Sequence, residues 1–178
     1  MALLPVIIAP DARLKQKCAA VERVDDAVRR LMDDMVETMH QAPGIGLAAP
    51  QVGVLKRVIV VDVAARDKEP RPYRLANPEI VWISDDRATF EEGCLSFPDM
   101  YAEVRRPAEV RVRYVDEHDK RQELLASGLL ATCIQHEMDH LEGVLFVDHI
   151  SQLKRDMILR KLVKLKRMQE KDVQRASA

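Results

Sequence analysis

Gly128-Leu-Leu-Ala-Thr-Cys-Ile-Gln-His-Glu-Met-Asp-His-Leu-Glu142 is apolar around most of a helical circumference, yet it carries two histidines and acidic groups. A helix with that pattern belongs in a core, and the polar groups it turns inward need partners there. Gly143 follows as the left-handed residue that ends it. With this segment at the centre, the rest of the chain is read as what packs around it.

Outward from it, residues 108–115 (AEVRVRYV) alternate apolar and polar, and DEHDK turns the chain back into 121–126, a hairpin signal. Residues 57–63 (RVIVVDV) are a continuous apolar run that predicts a buried strand, with shorter extended pieces at 75–84 and 87–92. Asp25 or Asp26 can cap a helix to about Gln41, in which Val28, Leu31, Met32, Met35, Val36 and Met39 recur at helical spacing and Pro43-Gly44 make the stop. A last helix starts near Ser151, with Ile158, Leu162 and Leu165 in one stripe, Leu159 and Val163 beside them, and Lys/Arg opposite. A helix toward each end with strands between, and no βαβ alternation, predicts an α+β fold. Its antiparallel or mixed sheets surround a central buried helix, flanked by an N-terminal helix and a C-terminal amphipathic helix.

The central helix holds His136-Glu137-Met138-Asp139-His140. Residues four apart share a helix face, with Cβ atoms about 5–6 Å apart, so two imidazoles can grip one ion. Glu137 is rotated by roughly 100° from His136. It therefore flanks the ion and can act as general base on a water. Two core histidines bonded to backbone are the alternative for an isolated HExxH, but they are costly in so apolar a helix.

The third ligand decides the class of enzyme. One class of zinc peptidase continues HExxHxxGxxH; here Gly143 is in place but Phe146 stands where the third histidine is needed. Another takes a glutamate from a later helix, and the only one after Glu142 is Glu170, in the charged tail. His149 lies beyond the helix stop. The upstream source is Cys94, in Glu91-Glu92-Gly93-Cys94-Leu95-Ser96-Phe97-Pro98, where a strand end before a Pro-terminated loop can turn a sulfur outward. Thiolate plus two imidazoles leaves a catalytic ion one open position. A lone free cysteine is more often a small buried hydrophobe, so the case for Cys94 rests on its neighbours.

Those neighbours form three motifs in order: Gly44-Ile-Gly-Leu-Ala-Ala-Pro-Gln-Val-Gly53, Glu91-Glu-Gly-Cys-Leu-Ser96 and Gln135-His-Glu-Met-Asp-His140. Together, and with Ala9-Pro10-Asp11 and Arg13-Leu14, they resemble the signatures of bacterial-type peptide deformylases over roughly residues 5–150. That family removes the N-formyl group from the first methionine of new polypeptides and releases formate. The resemblance implies Cys94, His136 and His140 as metal ligands, Glu137 as the proton carrier, and Gln51 with the Leu95 backbone N–H as donors to the developing oxyanion. It implies a peptide bound as an added strand beside Gly44 and Gly46; a simple helix-ending turn is the alternative, above all for Gly44. Ile45, Phe90, Leu129 and Cys133 are candidates for the methionine slot, although core packing accounts for each equally well. Lys15 stands where the family has Arg, and Thr132 replaces an aliphatic residue, which bears on the rim of that slot. One cysteine and two histidines accommodate Zn2+, Fe2+, Co2+ or Ni2+ alike; the resemblance implies Fe2+ in the cell, with the others as substitutes in a purified sample. An HExxH aminopeptidase or endopeptidase is the rival reading, and a closed structural metal site in a binding module a further one.

The 178 residues suit one domain, and three cysteines, Cys18, Cys94 and Cys133, point away from a disulfide framework toward a reducing compartment. No leader and no membrane-spanning run is expected, so the reading is a cytoplasmic monomer. The net charge of −1 hides an asymmetry. Residues 151–178 carry +6, which leaves about −7 on the body. Attraction to RNA phosphates is one account of that tail, and the resemblance implies docking on the ribosome; a solvated amphipathic helix is the other. His40 and His118 receive no role.

Overall fold

The continuous apolar run in residues 57–63 becomes strand β2 (Val58–Val61), and its four residues are fully buried because both faces are covered. Val58 and Val60 point to one side, where they meet helix α1 (Asp26–Gln41). Ile59 and Val61 point to the other, where they meet helix α2 (Gly128–Leu141). A two-residue period dictates that split. The computed structural model describes residues 2–65 and 68–176.

Helix α1 begins where Asp25 accepts a hydrogen bond from the Val28 N–H at 3.0 Å, a cap of the kind worth about 1 kcal/mol. Val28, Met32, Met35 and Met39 then fall on one face and are almost wholly buried. Strand β1 (Gly46–Ala48) follows, then β2, β3 (Tyr73–Ile83), β6 (Glu109–Val115) and β7 (Arg121–Ser127), which make one five-stranded sheet in the order β1-β2-β3-β6-β7. Strands β4 (Arg87–Cys94) and β5 (Phe97–Pro107) form a separate hairpin. Every pairing between these seven strands is antiparallel, which resolves the antiparallel-or-mixed expectation, and an isolated bridge between Ala19 and Lys56 is parallel. The α+β architecture stands as read.

Strand β5 departs from that reading. Pro98 was expected to end a loop, but it lies one residue inside an 11-residue strand. The register shifts between Gly93, opposite Tyr101, and Cys94, opposite Phe97, and a proline is tolerated beside such a break. Pro107 and the arginines at 105 and 106 further masked the alternation.

Helix α2 lies between the two sheets, and Phe97, Met100 and Val104 of the hairpin share a cluster with Leu145, Phe146 and Val147 beyond its end. Helix α3 (Gln152–Ala176) starts against Ser151, as expected, and docks on that cluster. Leu162 is buried there and Ile158, Leu159 and Leu165 pack beside it; Val163, expected alongside them, lines an outward groove with Arg160 and Lys164. No helix among the described residues is long and apolar enough to cross a membrane.

Candidate metal centre

Helix α2 sets His136 and His140 one turn apart with ring centroids 5.1 Å from each other, both rings buried. The helix stops because Gly143 takes φ +72°, and the chain at Lys15 passes so close that a Cβ on Gly143 would lie 2.6 Å from the Lys15 carbonyl carbon. The register shift at Gly93 and Cys94 re-aims the cysteine from the end of β4, and its Sγ sits 3.3 Å from His140 Nε2. The donor atoms of Cys94, His136 and His140 all lie within 4.8 Å of one another. One ion with bonds of about 2.0–2.3 Å needs ligands gathered at that scale.

The residues fit an ion in detail. Burial pushes His140 well below the usual histidine range, so the ring is neutral, the form that ligates. Its Nδ1 is buried and without a partner among the described residues. His136 donates through Nδ1 to Glu92 Oε2 at 2.8 Å, which leaves its other nitrogen for the shared point. Sulfur with two imidazoles suits a borderline transition metal.

Glu137 is 4% exposed, and its Oε2 has no partner among the described residues. Burial pushes its carboxyl up to about 7. Strand β1 crosses directly beside it: a Cβ on Gly46 would collide with Glu137 Oε1 and lie 2.7 Å from Cys133 Sγ. A Cβ on Gly44 would lie 2.8 Å from Leu95 Cδ1, the end of a side chain that can turn aside, so close approach explains Gly46 and not Gly44. Gly44 ends α1, donating to the Met39 carbonyl at 2.9 Å, so the turn reading holds for it.

Gln51 is buried in the turn Ala49–Val52. Its Oε1 accepts from the Ala48 N–H at 2.8 Å, which directs Nε2 toward Ser96 Oγ at 3.1 Å and Cys94 Sγ at 3.4 Å. Leu95 follows Cys94 in the short β4–β5 turn. A cleft of about 530 Å³ opens over Cys94, Leu95, His136 and Glu137. Gly44, Ile45, Gly46, Phe90, Leu129 and Cys133 all line it, as does Thr132.

Glu92 and Arg106 escaped the sequence reading. Arg106 is buried and grips Glu92 twice, Nε to Oε1 at 2.6 Å and Nη2 to Oε2 at 3.0 Å. Burial raises the Glu92 carboxyl, but hydrogen bonds from His136 and Arg106 more than offset it and hold it at about 2. No clean period along β4 announces Glu92, because the register shift at Gly93 and Cys94 interrupts the alternation. His149 is no part of the three-ligand cluster; its Nε2 pairs with Asp139 Oδ2 at 2.7 Å. His40 pairs with buried Asp62 at 3.0 Å.

One thiol and two imidazoles around a point open to a cleft, with a buried carboxyl alongside, define the class of mononuclear metal hydrolases. Residues 3–156 match the family model for polypeptide deformylase. The peptide deformylase of Agrobacterium fabrum (strain C58) is 57% identical over 94% of this chain and 98% of its own length. Among solved structures, the peptide deformylase of Ehrlichia chaffeensis superposes with a TM-score of 0.90 at 41% identity, covering 94% of this chain and 99% of that one. The Ehrlichia enzyme in complex with actinonin gives 0.89 at 42% identity, covering the same shares. The chain belongs to the polypeptide deformylase family, metal-dependent enzymes that remove N-formyl groups.

Proposed function

We propose that Cys94, His136 and His140 hold one divalent ion, Fe2+ in the cell, and that Glu137 moves the proton in the removal of formyl groups from formyl-methionyl peptides. The unpartnered, buried Glu137 carboxyl facing a cleft beside the three donors carries this reading. When bound, the ion supplies Lewis-acid chemistry, lowering the pKa of water and polarising the formyl oxygen. Glu137 takes a proton from the attacking water, whose oxygen bonds to the formyl carbon. As the C–N bond breaks, Glu137 passes the proton to the departing nitrogen, so that formate and a free amine leave. Gln51 Nε2 and the Leu95 N–H stabilise the charge on the former formyl oxygen. Gly44, Ile45 and Gly46 give the peptide an edge to pair with, while Phe90, Leu129 and Cys133 take the methionine side chain; their shared place on the cleft supports this.

Supplying formyl-Met-Ala-Ser and measuring formate and free amine tests the reaction. Formate without peptide-bond cleavage is expected; cleavage of the unformylated peptide instead would select the peptidase rival. Metal analysis of protein purified without oxygen is expected to find iron, with Zn2+, Ni2+ or Co2+ replacing it in air. We further read the chain as one cytoplasmic, monomeric domain, residues 151–178 forming a basic helix that meets the ribosome. Arg160 and Lys164 on the outer side of α3 support that contact. Removing residues 155–178 should weaken ribosome binding in a salt-controlled sedimentation assay and leave turnover of a short formyl-peptide largely intact.

A further inference from the structure

We propose that His149 is a positioning residue for the metal centre, acting on His136 through Asp139, Arg106 and Glu92. The proposal rests on the assignment of His136 as a ligand. Five side chains form one unbroken chain. His149 Nε2 meets Asp139 Oδ2 at 2.7 Å, and the same oxygen accepts from Arg106 Nη1 at 2.8 Å. The remaining two arms of the guanidinium hold both oxygens of Glu92, whose Oε2 accepts from His136 Nδ1 at 2.8 Å. A guanidinium is a planar, rigid fork. Any tilt that loosens its bond to Asp139 therefore disturbs its grip on Glu92, and with it the orientation of the His136 ring.

Two further observations give His149 its place at the outer end. Glu92 and Arg106 are almost fully buried, whereas the side chains of Asp139 and His149 are 26% and 35% exposed. Asp139 is thus the member that water could draw away, and His149 is the group that holds it on the solvent side. His149 also belongs to the turn Phe146–His149, whose Phe146 ring stacks on the His136 ring at 6.1 Å between centroids. One four-residue turn therefore touches the same imidazole directly through Phe146 and indirectly through His149. Asp148 pins the turn by accepting from the Leu145 N–H at 2.9 Å and pairing with Lys15.

Cobalt-loaded protein tests the idea without reference to turnover, through its visible absorption bands and the rate at which a chelator removes Co2+. Glu92→Gln should speed loss by about 10–100-fold, in line with outer partners of metal-bound histidines. His149→Phe and Asp139→Asn should speed it severalfold and shift the bands. His149→Gln, which keeps a donor for Asp139, should lie near the wild type. Wild-type bands and loss rate in His149→Phe, with Glu92→Gln altered, would overturn the proposal. So would a lower melting temperature of ion-free His149→Phe with neither cobalt readout moved, which marks a purely structural role. If Glu92→Gln also leaves both readouts unchanged, the chain of side chains does not act on the ion, and the proposal fails; if His136→Ala leaves both unchanged, the assignment of His136 as ligand fails instead.

Discussion

Gly46 leaves no room for a side chain, because Glu137 and Cys133 already occupy the space its Cβ would take. Gly46→Ala should therefore displace the Glu137 carboxyl and lower kcat/KM for a formyl-peptide at least tenfold, with a stability loss of about 1–3 kcal/mol from overpacking. Glu137→Gln should retain its metal content on elemental analysis while kcat falls by about 10²–10⁴. Unchanged turnover would remove Glu137 from its role as proton carrier. At this scale the sequence was legible wherever a motif fixes the spacing along one element, as in His136 and His140. Cys94 was reached by the failure of every downstream candidate for third ligand and gained weight from its neighbouring motifs, whereas Gln51 became legible only through resemblance. Arg106 was not legible at all, since its partner Glu92 lies across a hairpin and Asp139 on a helix, and no local pattern records such a meeting.

Elements differ in how openly they announce themselves. The helices did so through their apolar faces, and β2 through a run explained by cover on both sides. Strand β1, three residues taken from a glycine-rich loop, carries no period, and β5 hides its own behind two prolines. Helix α3 presents a different case: among its described side chains, Ile158, Leu159, Leu162 and Leu165 are the apolar ones that lean on the body. Leu162→Ala should cost about 2–5 kcal/mol at that contact. Hydrogen exchange along α3 should then rise well before exchange along α2, whereas equal protection in the variant would mean that other contacts hold the helix.

Across the whole molecule, the three cysteines report on the fold. Burial raises Cys18 to about 11 and carries Cys133 well above the usual thiol range, so neither offers much thiolate at neutral pH. Iodoacetamide at pH 8 should spare both in the folded, ion-free protein and reach half-buried Cys94; all three should react in denaturant. Modification of Cys133 in the folded state would contradict the burial of its thiol beside the cleft. The place of Cys94 has one more consequence. It lies 46 residues before His140, on a hairpin that belongs to a different sheet from the strands under α2. A cation held by both, as proposed, would act as a clip between layers that distant parts of the chain supply, and the unfolded chain would release it. By mass action, free ion at a thousandfold excess over Kd should add about 4 kcal/mol to the folded state. The melting temperature should accordingly climb with ion concentration and fall back with chelator, which makes heat resistance a gauge of how well the cell keeps this protein supplied with metal.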